Sequence, residues 1–233
     1  LEARFNIFPL GDSAATINLS EDINEEMNRK VIAIHKWLLE QSLEGVKDLI
    51  IGYSSLSVFY DPEVIRKTNP DAGTAYQHMK EKLEEAWQIS SFDGEKEADL
   101  HRIPVCYDDK FGFDLDFVSR HIRLTKKEII ELHCSKIYRV YMIGFLPGFS
   151  YLGQLDEKLA VPRKSNPVAV HAGSVGIAGS QTGIYSLHCP GGWQIIGRTP
   201  LKLFDVLLDI PVKLKTGDHV EFYPINKEDF DQQ

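Results

Sequence analysis

The sequence predicts two successive folds: an α+β N-terminal domain over residues 1–95, then a mainly-β domain, sandwich or barrel, over residues 96–233. Two observations carry this. Up to about residue 90, short strand-like runs alternate with segments whose apolar residues recur every three or four positions. After Lys136 the texture changes to aromatic and β-branched residues punctuated by Gly and Pro, the pattern of a sandwich or barrel. Between the two lies SFDGEKEAD (Ser91–Asp99), polar and charged, which reads as the linker.

ARFNIF and Ala14–Leu19 form the first two strands, around a Pro-Leu-Gly-Asp turn. Ile23, Met27, Val31, Ile34 and Leu38 then share one helix face, and Asp22 with Glu25 resembles a capping box. VKDLIIGY and SLSVFYDP pair as strands. Asp61–Gly73, with two prolines and a glycine, reads as a loop or broken start. Ala75, Met79, Leu83 and Trp87 step by four along a second helix, so the expected order is β-β-α-β-β-α. HRIPVCYD opens the second domain as a strand. A helical region follows over Asp114–Ser135, with Thr125 and Glu128 as a capping box. KIYRVYMIGF, GGWQIIGRT and DHVEFYPI are further strands, and NKEDFDQQ reads as a frayed end.

The chain is 43% hydrophobic and 26% charged, an ordinary globular balance, with net charge -8. That balance argues against nucleic acid and against an anionic membrane surface as partners. Cys106, Cys134 and Cys189 are far apart and odd in number, so neither a disulfide framework nor a zinc knuckle is expected. With no signal-like start and no apolar run of spanning length, a cytoplasmic location is expected. There is no Walker loop, dinucleotide fingerprint, nucleophile elbow or HExxH pair, and no metal is expected.

GSVGIAGSQTGIYSLHCPGGWQIIGRTP (Gly173–Pro200) carries the chemistry. Gly173, Gly176, Gly179 and Gly183 permit either tight barrel corners, which spacing alone favours, or a nest of amides for an anion. Ser174 and Ser180 suit turn hydrogen bonding better than nucleophilic attack. Gln181, Thr182, Tyr185, Trp193 and Arg198 add polar and planar groups, and Arg163 in VPRK adds a second guanidinium fork. In GFLPGFSYLGQL, Phe145, Phe149 and Tyr151 around Pro147 fit equally a plug of the barrel or the aromatic wall of a pocket.

These same stretches, GFLPGFSYLGQLD, VPRK, AGSVGIAGSQTGIY, PGGWQIIGRTP and LFD, with FPLGDSA and GYSSLSVFYDP upstream, resemble the KipI family. It is also called allophanate hydrolase subunit 1 or the 5-oxoprolinase B component (PxpB). The resemblance spans nearly the whole chain. It implies a cyclophilin-like C-terminal barrel. It implies a hetero-oligomeric hydrolase, formed with a subunit-2/PxpC-type protein and a PxpA-type subunit, that opens 5-oxoproline to glutamate. ATP, with Mg, would be the co-substrate. In that setting Arg163, Gln181 and Arg198 are the expected catalytic donors to phosphate and the developing oxyanion. Phe145, Pro147, Tyr151, His171, Gly173, Ser174, Gly179, Thr182, Tyr185 and Trp193 are the expected binding residues. The same resemblance offers an alternative, a binding module that inhibits a sensor histidine kinase. The chain departs from the family pattern where relatives often read PRxxxPRxxVPAGSV: Val168 replaces the second arginine and His171 the proline before AGS. His171 is then either a compensating cation or a packed loop residue. Cys189 stands where many relatives carry serine.

Overall fold

The computed structural model describes residues 5–90 and 98–232. The chain divides into two compact units, Leu1–Glu97 and Ala98–Gln233. The expected linker therefore lies, as far as Glu97, outside the described residues.

In the first unit, β1 (Asn6–Pro9), β2 (Ala14–Asn18), β3 (Val46–Ile51) and β4 (Ser55–Tyr60) form an antiparallel sheet in the order β1-β2-β4-β3. Helices α1 (Glu25–Gln41) and α3 (Ala75–Ile89) are amphipathic. Val31, Ile34 and Leu38 from α1 and Met79, Leu83 and Ala86 from α3 share a core with Ile17, Leu56, Val58 and Tyr60 of the sheet. Two details differ from the sequence reading. Asn24, not Asp22, caps α1, its side chain accepting from Met27 N at 3.1 Å, and Ile23 stays outside the helix. The Asp61–Gly73 stretch contains a helix, α2 (Pro62–Thr68). Asp61 caps it and Pro62 starts it, because proline's fixed φ suits the first turn, where its missing N–H is no loss.

The second unit is built on a closed barrel. Its strands are β5 (Leu100–Cys106), β6 (Ile137–Ile143), β7 (Ser150–Gly153), β9 (Ser174–Ala178), β10 (Gln181–Ile184), β12 (Gln194–Arg198) and β13 (His219–Ile225). They run round in the order β10-β7-β6-β13-β5-β12-β9, antiparallel except for the parallel β5–β13 pair. The chain is thus mixed α/β, and the barrel fits the cyclophilin-like fold that the resemblance implies. Ile103, Val105, Tyr138, Val140, Leu152, Val175, Ile177, Ile196 and Phe222 fill its interior. Helices α4 (Leu115–Ile122) and α5 (Lys126–Cys134) pack against this core, α5 starting at the Thr125–Glu128 capping box. A separate ribbon pairs β8 (Val168–Val170) with β11 (Cys189–Gly191). The expected frayed end is instead a short helix, α6 (Lys227–Asp231), capped by Asn226. It is held by Phe230, whose ring centroid lies 4.3 Å from that of Phe111.

Candidate functional site

The first part of the glycine-rich stretch folds as the β9–β10 hairpin, and amides at its ends and turn are committed within the fold. Gly173 N donates to Tyr185 O, Tyr185 N to Ser174 O, and Gly179 N to Val161 O. Gly179 turns the hairpin at φ 56°. Of the two readings of these glycines, the geometry is that of barrel corners and close packing. A Cβ on Gly183 would lie 3.0 Å from Trp193 Cζ3 and 3.2 Å from Phe149 Cζ. The missing side chain there makes room for aromatic rings.

Those rings form a cluster. Phe149 is fully buried, with its centroid 4.6 Å from Tyr151, 4.9 Å from Tyr185 and 5.7 Å from Trp193, in edge-to-face arrangements. Phe145 adds an edge contact at 5.6 Å while remaining 63% exposed. Its φ of 69° lies in the left-handed region, which costs a non-glycine residue about 1–2 kcal/mol.

Phe145, Phe149, Tyr151, Tyr185 and Trp193 wall a cavity of about 280 Å³. Arg163, Lys164, Ser165, Pro167 and the Pro190–Gly192 turn complete its lining. The Arg163 guanidinium lies 5.7 Å from the Trp193 ring centroid, in cation–π range. A clamp fixes its loop. Lys164 Nζ bonds the Asp114 carboxylate and donates to Trp193 O at 2.7 Å, while Asp114 Oδ2 accepts from Ile195 N at 2.6 Å. Gln194 Nε2 donates to Pro162 O and Lys164 N to Gly192 O. Burial pushes the Tyr185 phenol up to about 12, and it raises Tyr151 with Arg163 opposing. Tyr185 therefore presents a protonated hydroxyl at neutral pH. Among the described residues lining the cavity, none is a carboxylate, histidine or cysteine. The Arg163 fork can pair with an anion, and the aromatic walls can enclose a small flat group.

Of the expected site residues, Phe145, Tyr151, Arg163, Tyr185 and Trp193 come together here. The others lie elsewhere in the unit. Thr182 Oγ1 points into the barrel core, 2.9 Å from His133 Nε2. Arg198 Nε donates to Ala172 O at 2.8 Å, and its guanidinium sits 5.8 Å from the Phe230 centroid. Gln181 opens β10 opposite Gly153 and Ala178. Ser174 is buried at the start of β9, and Gly173 lies against Thr199 O. Pro147 O accepts from Ser186 Oγ at 2.6 Å. His171 and His188 are exposed and face each other beyond the Val170–Cys189 pair, ring centroids 5.4 Å apart. Lys164 and Asp114 escaped the sequence reading. Lys164 sits beside Arg163 in the VPRK motif, a usable signal, but Asp114 lies fifty residues away with no local mark.

Among the described residues, Asp99, His101 and Asp218 place ligand atoms within 4.8 Å of one another. Lys215 Nζ already bridges the two carboxylates, at 2.5 Å from Asp99 Oδ2 and 3.7 Å from Asp218 Oδ1. That hydrogen bond raises Lys215 and lowers Asp99 from their ordinary values. An ammonium where a cation would sit makes this an ion-pair network.

The carboxyltransferase domain, subdomain C and D, family matches residues 5–214. The B component of the 5-oxoprolinase of Bacillus subtilis (strain 168) is 41% identical over 232 residues, covering 99% of this chain and 97% of the relative. The crystal structure of TTHA0988 superposes with a TM-score of 0.77 at 31% identity over 91% of this chain, which spans 40% of that longer chain. The urea amidolyase of K. lactis shares the fold, with a TM-score of 0.80 at 17% identity over 100% of this chain and 16% of its own. No helix among the described residues is long and apolar enough to cross a membrane. A family match over most of the chain and a relative aligned nearly end to end place this protein in the carboxyltransferase subdomain C and D family, beside the B components of 5-oxoprolinases.

Proposed function

We propose that the chain is the B-type component of an ATP-dependent 5-oxoprolinase, and that the aromatic cavity holds the 5-oxoproline. The observation that carries this is the lining itself: one guanidinium fork beside flat aromatic walls and protonated phenols. Arg163 takes the substrate carboxylate, for which a planar fork is the best side-chain match. Trp193 and Tyr151 cover the faces of the small ring, and the Tyr185 hydroxyl supplies a neutral hydrogen bond. At about 280 Å³ the cavity is at the small end for ligand sites, suited to a five-membered lactam rather than a nucleotide.

A lactam is a poor electrophile. Transfer of the γ-phosphoryl group of ATP to its oxygen releases ADP and activates the carbon. Water then adds to that carbon and the ring C–N bond breaks, the nitrogen leaving as the amine and the carbon remaining as an acyl phosphate; a second water displaces the phosphate to give glutamate. The cavity offers no carboxylate or imidazole to move those protons and no second anion cradle for a triphosphate. In this reading the PxpC-type and PxpA-type subunits bring the ATP site, its Mg and the general base, and the isolated chain is inactive. The test is ATP hydrolysis by the three purified proteins, mixed and separately, with and without 5-oxoproline. Hydrolysis stimulated by 5-oxoproline only when all three are present is expected. An assembled complex whose ATP turnover ignores 5-oxoproline would remove this substrate.

A further inference from the structure

After β12 the chain makes a hairpin-like arm before it enters β13. Lys213 N donates to Leu203 O at 3.0 Å, Phe204 bridges to Val212, and Asp205 N donates to Pro211 O at 2.8 Å. Leu203 and Leu214, both buried, root the arm in the barrel core. Asp205 organises the tip, its Oδ1 accepting from Leu207 N at 3.1 Å and its backbone O accepting from Leu208 N at 3.2 Å. An ion pair with Lys202 at 2.8 Å holds it. On this well-hydrogen-bonded stem stands an apolar tip: Val206 is 76% exposed, Leu207 87%, Leu208 59% and Ile210 80%. Single exposed aliphatic residues are normal on a protein surface. Four within five residues, at the end of an ordered arm, are the mark of a surface meant to be covered.

The arm also borders the cavity loop. A Cβ on Gly148 would lie 3.1 Å from Phe204 Cβ and 3.2 Å from Leu203 O, so the 144–149 loop that presents the strained, exposed Phe145 rests on the arm's base. Whatever covers the tip therefore lies beside a loop of the cavity, and the cavity lacks a general base of its own. In the TTHA0988 chain, the counterpart of this protein fills only 40% of the length, so further polypeptide is covalently joined to it.

We propose that Val206, Leu207, Leu208 and Ile210 form the anchor by which this chain docks a separate protein. That protein is the homologue of the part of the TTHA0988 chain outside the match, and it receives the tip in an apolar pocket. This rests on the reading of the chain as one member of a multi-protein complex. A compact group of aliphatic residues entering a pocket is the kind of centre that dominates an interface.

The experiment uses titration calorimetry and sedimentation velocity with that homologous protein, purified from the same genome, against three forms of this chain. These are the wild type, the double variant Leu207→Asp/Ile210→Asp, and Leu39→Asp, which places a charge on an exposed leucine of the first unit. The altered tip side chains are exposed, so unchanged circular dichroism and thermal midpoint are expected in the double variant. The expected result is tight wild-type binding, weakened at least about 100-fold by the double variant and unchanged by Leu39→Asp. Equal binding by wild type and double variant would overturn the docking surface while leaving the reading as a complex member intact. Wild-type self-association abolished by the double variant, without hetero-association, would assign the tip to a second copy and overturn the proposal. No wild-type binding at all would overturn both the surface and the choice of partner; the 5-oxoproline-stimulated ATP turnover then decides the complex-member reading separately.

Discussion

His133 Nε2 lies 2.9 Å from Thr182 Oγ1, and this contact between α5 and β10 fixes the direction of a buried hydrogen-bond chain. Thr182 Oγ1 donates to Gly176 O at 3.1 Å, so it must accept from His133 Nε2–H. Nδ1 is then the acceptor for the Tyr107 hydroxyl at 2.8 Å, and Tyr107 accepts in turn from the Cys134 thiol at 3.4 Å.

Thr182 is thus part of the barrel's internal wiring. Thr182→Val keeps the volume but leaves the His133 N–H buried without its acceptor, a cost of about 1–3 kcal/mol. Urea unfolding should show that loss, and Thr182→Ser should recover most of it. Stability unchanged in Thr182→Val would mean the chain does not run this way.

Burial lowers His133 from 6.5 to about 3. A group whose folded value lies below its unfolded one contributes stability above the unfolded value and loses it as pH falls toward the folded value. Between about pH 6.5 and 4.5, stability should therefore fall by up to about 1.4 kcal/mol per pH unit from this residue. His35 and His78, also lowered by burial, act in the same direction, whereas the lowered carboxylates of Asp61, Asp99, Asp205 and Glu128 act at lower pH. NMR separates them: the His133 ring should not titrate between pH 8 and 5, and a midpoint near 6.5 would contradict the buried chain.

Gly191 lies against Tyr185 so closely that a Cβ would come within 2.6 Å of its hydroxyl oxygen. Gly191→Ala must push the Tyr185 ring out of the cavity wall. The expected cost is about 1–3 kcal/mol of overpacking, with a changed fluorescence of the neighbouring Trp193. A crystal structure of the variant with Tyr185 unmoved would remove Gly191 as its positioning residue.

The Lys164–Asp114 pair is the pin of the Arg163 loop. Lys164→Met leaves Asp114 without its ammonium, at about 1.5–3 kcal/mol for the lost charge-assisted hydrogen bond. Amide exchange should accelerate at residue 164, whose N–H is held by Gly192 O in the wild type. Exchange at the wild-type rate would show that the backbone bonds alone hold the loop.

The strands and helices of the second unit were legible because their signals are local, whereas closure into a barrel rests on pairings between distant strands such as β5 and β13 and was implied only by the family resemblance. Periodic apolar residues mark the strands and helices, and the Thr125–Glu128 box marks the start of α5. Helix α2 was hidden by its own prolines, since Pro62 at a helix start looks in sequence like a break. The aromatic half of the candidate site was legible for the same local reason: Phe145, Tyr151, Tyr185 and Trp193 fall in motifs dense with glycine. Arg198 and Thr182 lie in those motifs too, but strand alternation and a neighbour distant in sequence decide where each side chain points. Phe230 claims Arg198 from the far end of the chain, and His133 claims Thr182 from α5. No spacing within the Gly173–Pro200 stretch carries that information.

The most direct measurement is 5-oxoproline-stimulated ATP turnover of the assembled complex with Arg163→Ala and, separately, Arg198→Ala. Losing a charged hydrogen-bond partner of the substrate costs roughly 1.5–3 kcal/mol, about 10- to 150-fold in apparent affinity. That loss is expected for Arg163→Ala, with Arg198→Ala keeping wild-type affinity and losing only stability through Phe230 and Ala172. Full stimulation surviving in Arg163→Ala while vanishing in a folded Arg198→Ala would place the substrate away from the aromatic cavity and contradict the central claim.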